Sequence, residues 1–194
     1  IIRKLFKFEG SHIVRDCTSV RCSHSIHGHS YVIEVFLTAS GLDNGQMIVD
    51  FGLLKGTVRD FADAFDHTHV MWKKESDEVK EFFKRHNQRW IILPCSPSAE
   101  MLSLMFFFVI DKIIKNTAFN NGEKQPTLTA VRVHETETGW AQSGADDLKT
   151  LWKWELNDIE ISQPIIDEWK DPFMWSRLIE NDPFINPKIN LKYY

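Results

Sequence analysis

An excess of basic charge, a paired set of cysteines and a long apolar run are all missing from this sequence, and each absence removes a class of function. The 194 residues carry 23 Lys+Arg against 27 Asp+Glu, a net charge of −4, with a pI near 6.1. General electrostatic attraction to nucleic acid or to an anionic membrane is therefore not expected. Three cysteines cannot all pair, and so thin a scatter reads as reduced thiols of a cytoplasmic protein, not as a disulfide framework. The longest apolar stretches, Ile91 to Leu93 and Met101 to Ile110 with its Ser103, fall far short of the roughly 20 residues a membrane span requires. Arg3, Lys4 and Lys7 break up what would have to be the apolar region of a signal peptide. Internal repeats and low-complexity segments are missing too.

What is present suits one ordinary globular domain with a substantial core. Acidic excess is confined to the C-terminal end: residues 1–140 balance at 17 basic and 17 acidic, whereas 141–194 hold 6 against 10. That extension is rich in Trp152, Trp154, Trp169, Phe173, Trp175, Phe184, Tyr193 and Tyr194, too many large apolar groups for a solvated acidic tail. Pro164, Pro172, Pro183 and Pro187 interrupt any long helix there. The expectation is a domain over 1–140 and an extension over 141–194 of short helices and turns, packed on the core or on a neighbouring subunit.

Periodicity supplies the elements. Residues 30–38 read as a strand ending in the turn-rich cluster Gly41 to Gly45. Leu54, Val58, Phe61 and Phe65 mark one face of a helix that ends at Asp66-His67. Residues 73–88 predict a surface helix. Ser98 is a candidate cap for a core helix through Met101, Met105, Phe108 and Val109. Leu128 to Glu135 alternates as a strand, and the order of elements predicts an α+β fold with an antiparallel sheet.

The sharpest chemical signal is His27-Gly28-His29 at the start of the strand. In extended chain the two imidazoles share a face, and an antiparallel partner carrying Phe6 and Phe8 would bring His12 alongside. Three imidazoles with an open fourth position are a donor set for catalytic zinc; the plainer reading is a set of surface strand histidines. Cys22, five residues before His27, is either an acid–base thiol or a small buried hydrophobe. Asp66 could orient His67 or be a solvated helix terminus. Glu135 falls in phase with Val131 and Val133, and a carboxylate on an apolar face requires a partner. That partner is either a ligand with two N–H donors or a neighbouring arginine.

Taken in order, Phe8…His12, Cys22…His27-Gly28-His29-Ser30-Tyr31, Met47 to Lys55, Phe65-Asp66-His67, Ser96-Pro97-Ser98-Ala99-Glu100 and Val133-His134-Glu135-Thr136 resemble the 6-pyruvoyltetrahydropterin synthase / 6-carboxytetrahydropterin synthase family over about residues 1–140. The resemblance implies a tunnelling fold: a four-stranded antiparallel sheet with two helices on one face, closing into an oligomeric barrel, with two trimers stacked as a homohexamer. It implies zinc on His12, His27 and His29, proton transfer by Cys22 with Asp66 and His67, and substrate binding by Glu135 and Glu100. The implied substrate is 7,8-dihydroneopterin triphosphate. In the bacterial branch the products are 6-carboxy-5,6,7,8-tetrahydropterin, triphosphate and acetaldehyde, in queuosine-type deazapurine synthesis. A pyruvoyl enzyme that keeps the three-carbon side chain, and a non-catalytic metal-binding scaffold on the same fold, are the alternatives. Ala99 and His134 depart from the family's usual Thr or Ser and Lys, residues 69–95 are longer than a minimal member needs, and nothing in the motifs matches the extension.

Overall fold

The computed structural model describes residues 1–186; Pro187, Tyr193 and Tyr194 lie outside the described residues. In chain order the elements are β1 (Ile2–His12), α1 (Val20–His24), β2 (His27–Thr38), α2 (Phe51–Lys55), α3 (Thr57–Asp63), β3 (Thr68–Trp72), α4 (Asp77–His86), β4 (Trp90–Leu93), α5 (Ala99–Lys115), β5 (Thr117–Phe119), β6 (Thr127–His134) and β7 (Trp140–Ser143). The extension adds α6 (Ala145–Leu151), β8 (Glu160–Ile161), α7 (Gln163–Asp167), α8 (Met174–Glu180) and β9 (Phe184–Asn186).

Strict alternation builds the centre. β1 and β2 pair antiparallel from Ile2 opposite Leu37 to His12 opposite His27, and β6 joins the far side of β2 with Ile33 opposite Val133. Phe6 and Phe8 on β1, Tyr31, Ile33, Val35 and Leu37 on β2, and Val131 and Val133 on β6 all face inward and are buried. Phe65, just past α3, and Phe106 on α5 pack tilted against Phe8, with centroids 5.7 and 6.2 Å away. The other face carries charge: Glu34 is buried beneath Arg3, Arg132 and His134 at 2.8, 3.4 and 2.6 Å.

The expected four-stranded antiparallel sheet is exceeded in size and corrected in pairing. The sheet has seven strands, in the order β7-β6-β2-β1-β3-β4-β8, and the β1–β3 and β3–β4 pairs are parallel. For β3 and β4 the cause lies in residues 69–95, where α4 separates the two strands and returns the chain in the same direction, as a crossover helix must. All four residues from Thr68 to Met71 are buried, polar Thr68 and His69 among them, the continuous burial of a parallel strand covered on both faces.

The helix drawn through Leu54, Val58, Phe61 and Phe65 is two helices. Asp50 caps α2 by accepting from the Gly52 N–H, and the chain breaks at Gly56, with φ −102° and ψ −110°. All four apolar residues still reach the core, so the period survives the break. α3 then stops at Asp63, short of Asp66-His67. Ser98 does cap α5, accepting from the Met101 N–H at 3.4 Å. From Leu102 to Ile114 that helix is buried all round except at Lys112, which requires cover on two sides. The sheet is one cover, and the extension is the other: Trp152 lies 5.0 Å from the Phe108 ring. Farther on, Trp175 stacks on Phe61 at 5.9 Å, β8 pairs with β4 and β9 with β5. Pro164 sits in the first turn of α7, where its missing N–H costs nothing.

Candidate active site

The inward stripe of the sheet changes character at one end. Two residues beyond Phe8 and Gly10 comes His12, and two and four before Tyr31 come His29 and His27, so period 2 alone sends all three imidazoles to the same end of the same face. The ring centroids of His12–His27, His12–His29 and His27–His29 are 4.5, 5.3 and 5.3 Å apart, and one ring nitrogen from each lies within 4.8 Å of the others. Gly28 lets the strands close: a Cβ there would stand 2.7 Å from the Gly10 carbonyl oxygen.

Hydrogen bonds decide which nitrogens face inward. A carbonyl oxygen only accepts, so His12 donates from Nδ1 to Pro97 at 2.7 Å and His27 from Nδ1 to Ser25 at 3.0 Å, leaving each Nε2 with a lone pair. Nε2 of His29 is buried without a hydrogen-bond partner among the described residues. Burial, above all, pulls His12 down to about 4 and lowers His29 as well, so both rings stay neutral at pH 7. A buried orphan nitrogen beside two further imidazoles that turn lone pairs toward it is what a metal ion would satisfy. Supporting groups surround it. The Tyr31 hydroxyl lies 3.3 Å from both His12 nitrogens, its own ionisation pushed up by burial.

Glu135 stands just beyond β6, with Oε1 3.6 Å from His12 Nε2 and 3.7 Å from His29 Nε2. Among the described residues no arginine pairs with it; it faces the histidine cluster. Asp66 and His67, adjacent in sequence, are joined in space: Asp66 Oδ2 lies 3.0 Å from His67 Nδ1 while Oδ1 accepts the Glu9 N–H at 2.8 Å. Burial alone would raise the Asp66 carboxyl, but the Glu9 N–H and the hydrogen bond and charge of His67 bring it below its ordinary value. The carboxylate thus fixes the His67 proton on Nδ1 and leaves Nε2, on a largely exposed ring, free to exchange protons. His67 itself adopts φ +54° and donates its backbone N–H to Glu9 at 2.7 Å.

Cys22 sits half-buried on α1, its carbonyl accepting from the Val14 N–H at 2.9 Å. Its thiol makes no hydrogen bond among the described residues. Arg15 steadies this loop by donating to the Ser23 carbonyl at 2.8 Å and to Glu75 at 2.7 Å. Cys95 is buried and pushed up to about 12 by that burial, an inert hydrophobe, and the Cys17 thiol bonds locally to the Ser19 carbonyl. Glu100 is exposed in the first turn of α5. An open pocket of about 420 Å³ is lined by Glu9, Ser11, Ser30, His29 and His67 among others, but not by Cys22, Glu100 or Glu135. One chain therefore unites the histidines with Glu135, and Asp66 with His67, without gathering every group in one cavity.

His69 escaped the sequence reading of the site. It is buried on β3, bonded to Ser11 Oγ at 2.8 Å, stacked on Phe83 at 3.6 Å and lowered to about 4, chiefly by burial. Its signal was the unbroken buried run of β3, which only the parallel pairing explains.

Residues 1–145 match the family model of 6-pyruvoyl tetrahydropterin synthase. The chain belongs to that family. A relative from Helicobacter pylori named 6-carboxy-5,6,7,8-tetrahydropterin synthase is 39% identical over 185 residues, covering 94% of this chain and 92% of its own. Among solved structures, a Wolinella succinogenes protein described as uncharacterized superposes with a TM-score of 0.57 at 19% identity, over 74% of this chain and 96% of its own. The 6-pyruvoyl tetrahydropterin synthase of Caenorhabditis elegans does so with 0.52 at 19% identity, over 74% and 94%. At that identity the structures establish a shared mixed α+β fold. Family membership and the Helicobacter match both place the chain among pterin synthases, and among the described residues no helix is long and apolar enough to cross a membrane.

Proposed function

We propose that the chain is a zinc-dependent 6-carboxy-5,6,7,8-tetrahydropterin synthase, a lyase that takes 7,8-dihydroneopterin triphosphate and releases triphosphate and acetaldehyde, in queuosine-type deazapurine synthesis. The observation that carries this reading is the three-imidazole cluster with Glu135 at its mouth, in a chain alignable almost end to end with a relative of that name. His12, His27 and His29 would hold the ion, and three imidazoles with room for substrate are a catalytic zinc donor set. Bound there, zinc would supply Lewis acidity toward the side-chain hydroxyls of the substrate.

The remaining roles belong to the protein. Cys22 takes a proton from the side chain, and His67, held by Asp66, serves the opposite transfer. Glu135 accepts hydrogen bonds from the amidine-like edge of the pterin, with Glu100 also at the substrate. The chain is read as a homo-oligomer, a hexamer by resemblance, in which neighbouring copies complete the site. The protein is read as cytoplasmic.

Product identification by mass spectrometry from purified enzyme and 7,8-dihydroneopterin triphosphate tests the reading. Acetaldehyde and the 6-carboxy product are expected. A product that keeps all three side-chain carbons would make it a pyruvoyl enzyme, and no turnover at all would leave a metal-binding scaffold.

A further inference from the structure

The extension, which no family motif covers, reaches back to the turn that carries Asp66 and His67. Arg89, just before β4 and mostly buried, points its guanidinium into that turn from behind. Its Nε donates to the Asp66 carbonyl at 2.8 Å, and Nη2 donates to the carbonyls of Asp63 at 3.0 Å and Ala64 at 3.4 Å. Asp63 and Ala64 close α3, where a helix welcomes a cation, and Asp66 lies in the turn beyond; the Asp63 carbonyl also accepts the Asp66 N–H, and those of Ala64 and Asp66 the Thr68 hydroxyl. The fork then has one arm left, and Nη1 donates to Glu168 Oε2 at 2.5 Å, the ion-pair partner of Arg89 among the described residues.

Glu168 follows α7 and is fixed by its neighbours. The Lys170 N–H donates to Asp60 Oδ2 at 3.1 Å, the Lys170 ammonium reaches the Lys55 carbonyl at 3.4 Å, and Trp169 is buried beside Trp175, which stacks on Phe61. The turn requires such bracing. His67 holds a left-handed backbone conformation that non-glycine residues avoid, and a planar guanidinium that spans three carbonyls fixes direction in a way a lysine could not. Without Glu168 the guanidinium would keep the carbonyls and the charge of the nearby Asp66 carboxylate but lose its direct ion pair.

We infer that Glu168, acting through Arg89, is a positioning residue of the extension for the Asp66–His67 pair. The inference rests on the reading of that pair as the proton-transfer group. Glu168→Ala should lower kcat about tenfold, the scale on which slight misplacement of a reacting group is felt, with KM within about twofold and metal content unchanged. The limb of the kcat–pH profile that reports His67 should move. Glu168→Gln, which keeps an acceptor for Nη1, should recover part of the loss and also serves if the alanine variant folds poorly.

A double-mutant cycle with His67→Ala separates the readings. Once His67 is gone, removing Glu168 should change the residual kcat no further. Losses that multiply instead, or a Glu168→Ala enzyme whose melting temperature drops while kcat and its pH profile stay put, would reduce Glu168 to a structural contact and overturn the inference. Full activity in His67→Ala would overturn the reading of the pair itself, and the inference with it.

Discussion

The histidine cluster and the Asp66–His67 pair solve the problem of placement in opposite ways. The histidines hang from two strands whose register fixes them rung by rung, with His12 facing His27 and Gly28 admitting the close strand contact. Asp66 and His67 hang from a turn outside any strand or helix, held by Glu9 on one side and Arg89 on the other. Cys22 sits on a five-residue helix steadied by Arg15. Strand-borne ligands inherit their geometry from the core, whereas turn-borne groups require separate braces, supplied here by segments the family motifs do not cover: Glu75 comes from the long 69–95 segment, and Glu168 from the extension.

The strongest test of this contrast removes a strand-borne ligand. His29→Ala should take metal content from near one ion per chain to near none and lower turnover by on the order of 10³-fold, since the ion supplies several kcal/mol to such reactions. Elemental analysis and initial rates check both, and a metal-free variant with full activity would break the comparison at its base. Next comes the thiol. Cys22→Ala should cost on the order of 10²-fold in turnover, the scale of a lost acid–base group, while metal content and melting temperature hold; an equal loss in Cys17→Ala would point to the wrong cysteine.

The smallest effect separates the two regions by pH. His69, buried behind β1, has a folded pKa of about 4, below the ordinary 6.5, so the unfolded chain takes up its proton first as pH falls. Its contribution, on the order of 3 kcal/mol, is intact above about pH 6.5 and drains away toward pH 4. Asp66, lowered from its ordinary value, stabilises above the carboxylate range and gives way only at more acid pH. The stability of chelator-treated protein to denaturant should fall between pH 6.5 and 4, where His12, also lowered to about 4, contributes as well, and His69→Gln should lessen that slope without abolishing it. A slope unchanged by the substitution would show that His69 is not the source.

The site was more legible than the sheet. The His-x-His pair, the Ser98 cap and the phase of Glu135 are local signals, carried by periods of 2 and by a residue three positions from its partner. His134 shows the limit of that logic. It adjoins Glu135 in sequence but turns to the opposite face, where it meets Glu34, because neighbours on a strand point apart. The break at Gly56 left no trace in the apolar spacing, since Leu54 and Val58 stay in phase across it. Parallel pairing of β1, β3 and β4 was invisible because it joins residues about sixty positions apart, such as Gly10 and Thr68, or about twenty, such as His69 and Trp90, and no local pattern encodes a partner at those distances. Arg89 gave no signal either; it acts on backbone carbonyls, which carry no sequence.

The short strand β8 closes one border of the sheet. Trp90 to Leu93 is an apolar strand whose outer hydrogen-bonding groups are met by Ile161, Glu160 and Ser162, residues synthesised some seventy positions later. Until they arrive, a nascent chain presents Ile91, Ile92 and Leu93 as an open template for any other strand. Two residues of pairing thus guard the finished chain against self-association, and a chain interrupted before Glu160 is expected to precipitate before it can be assayed.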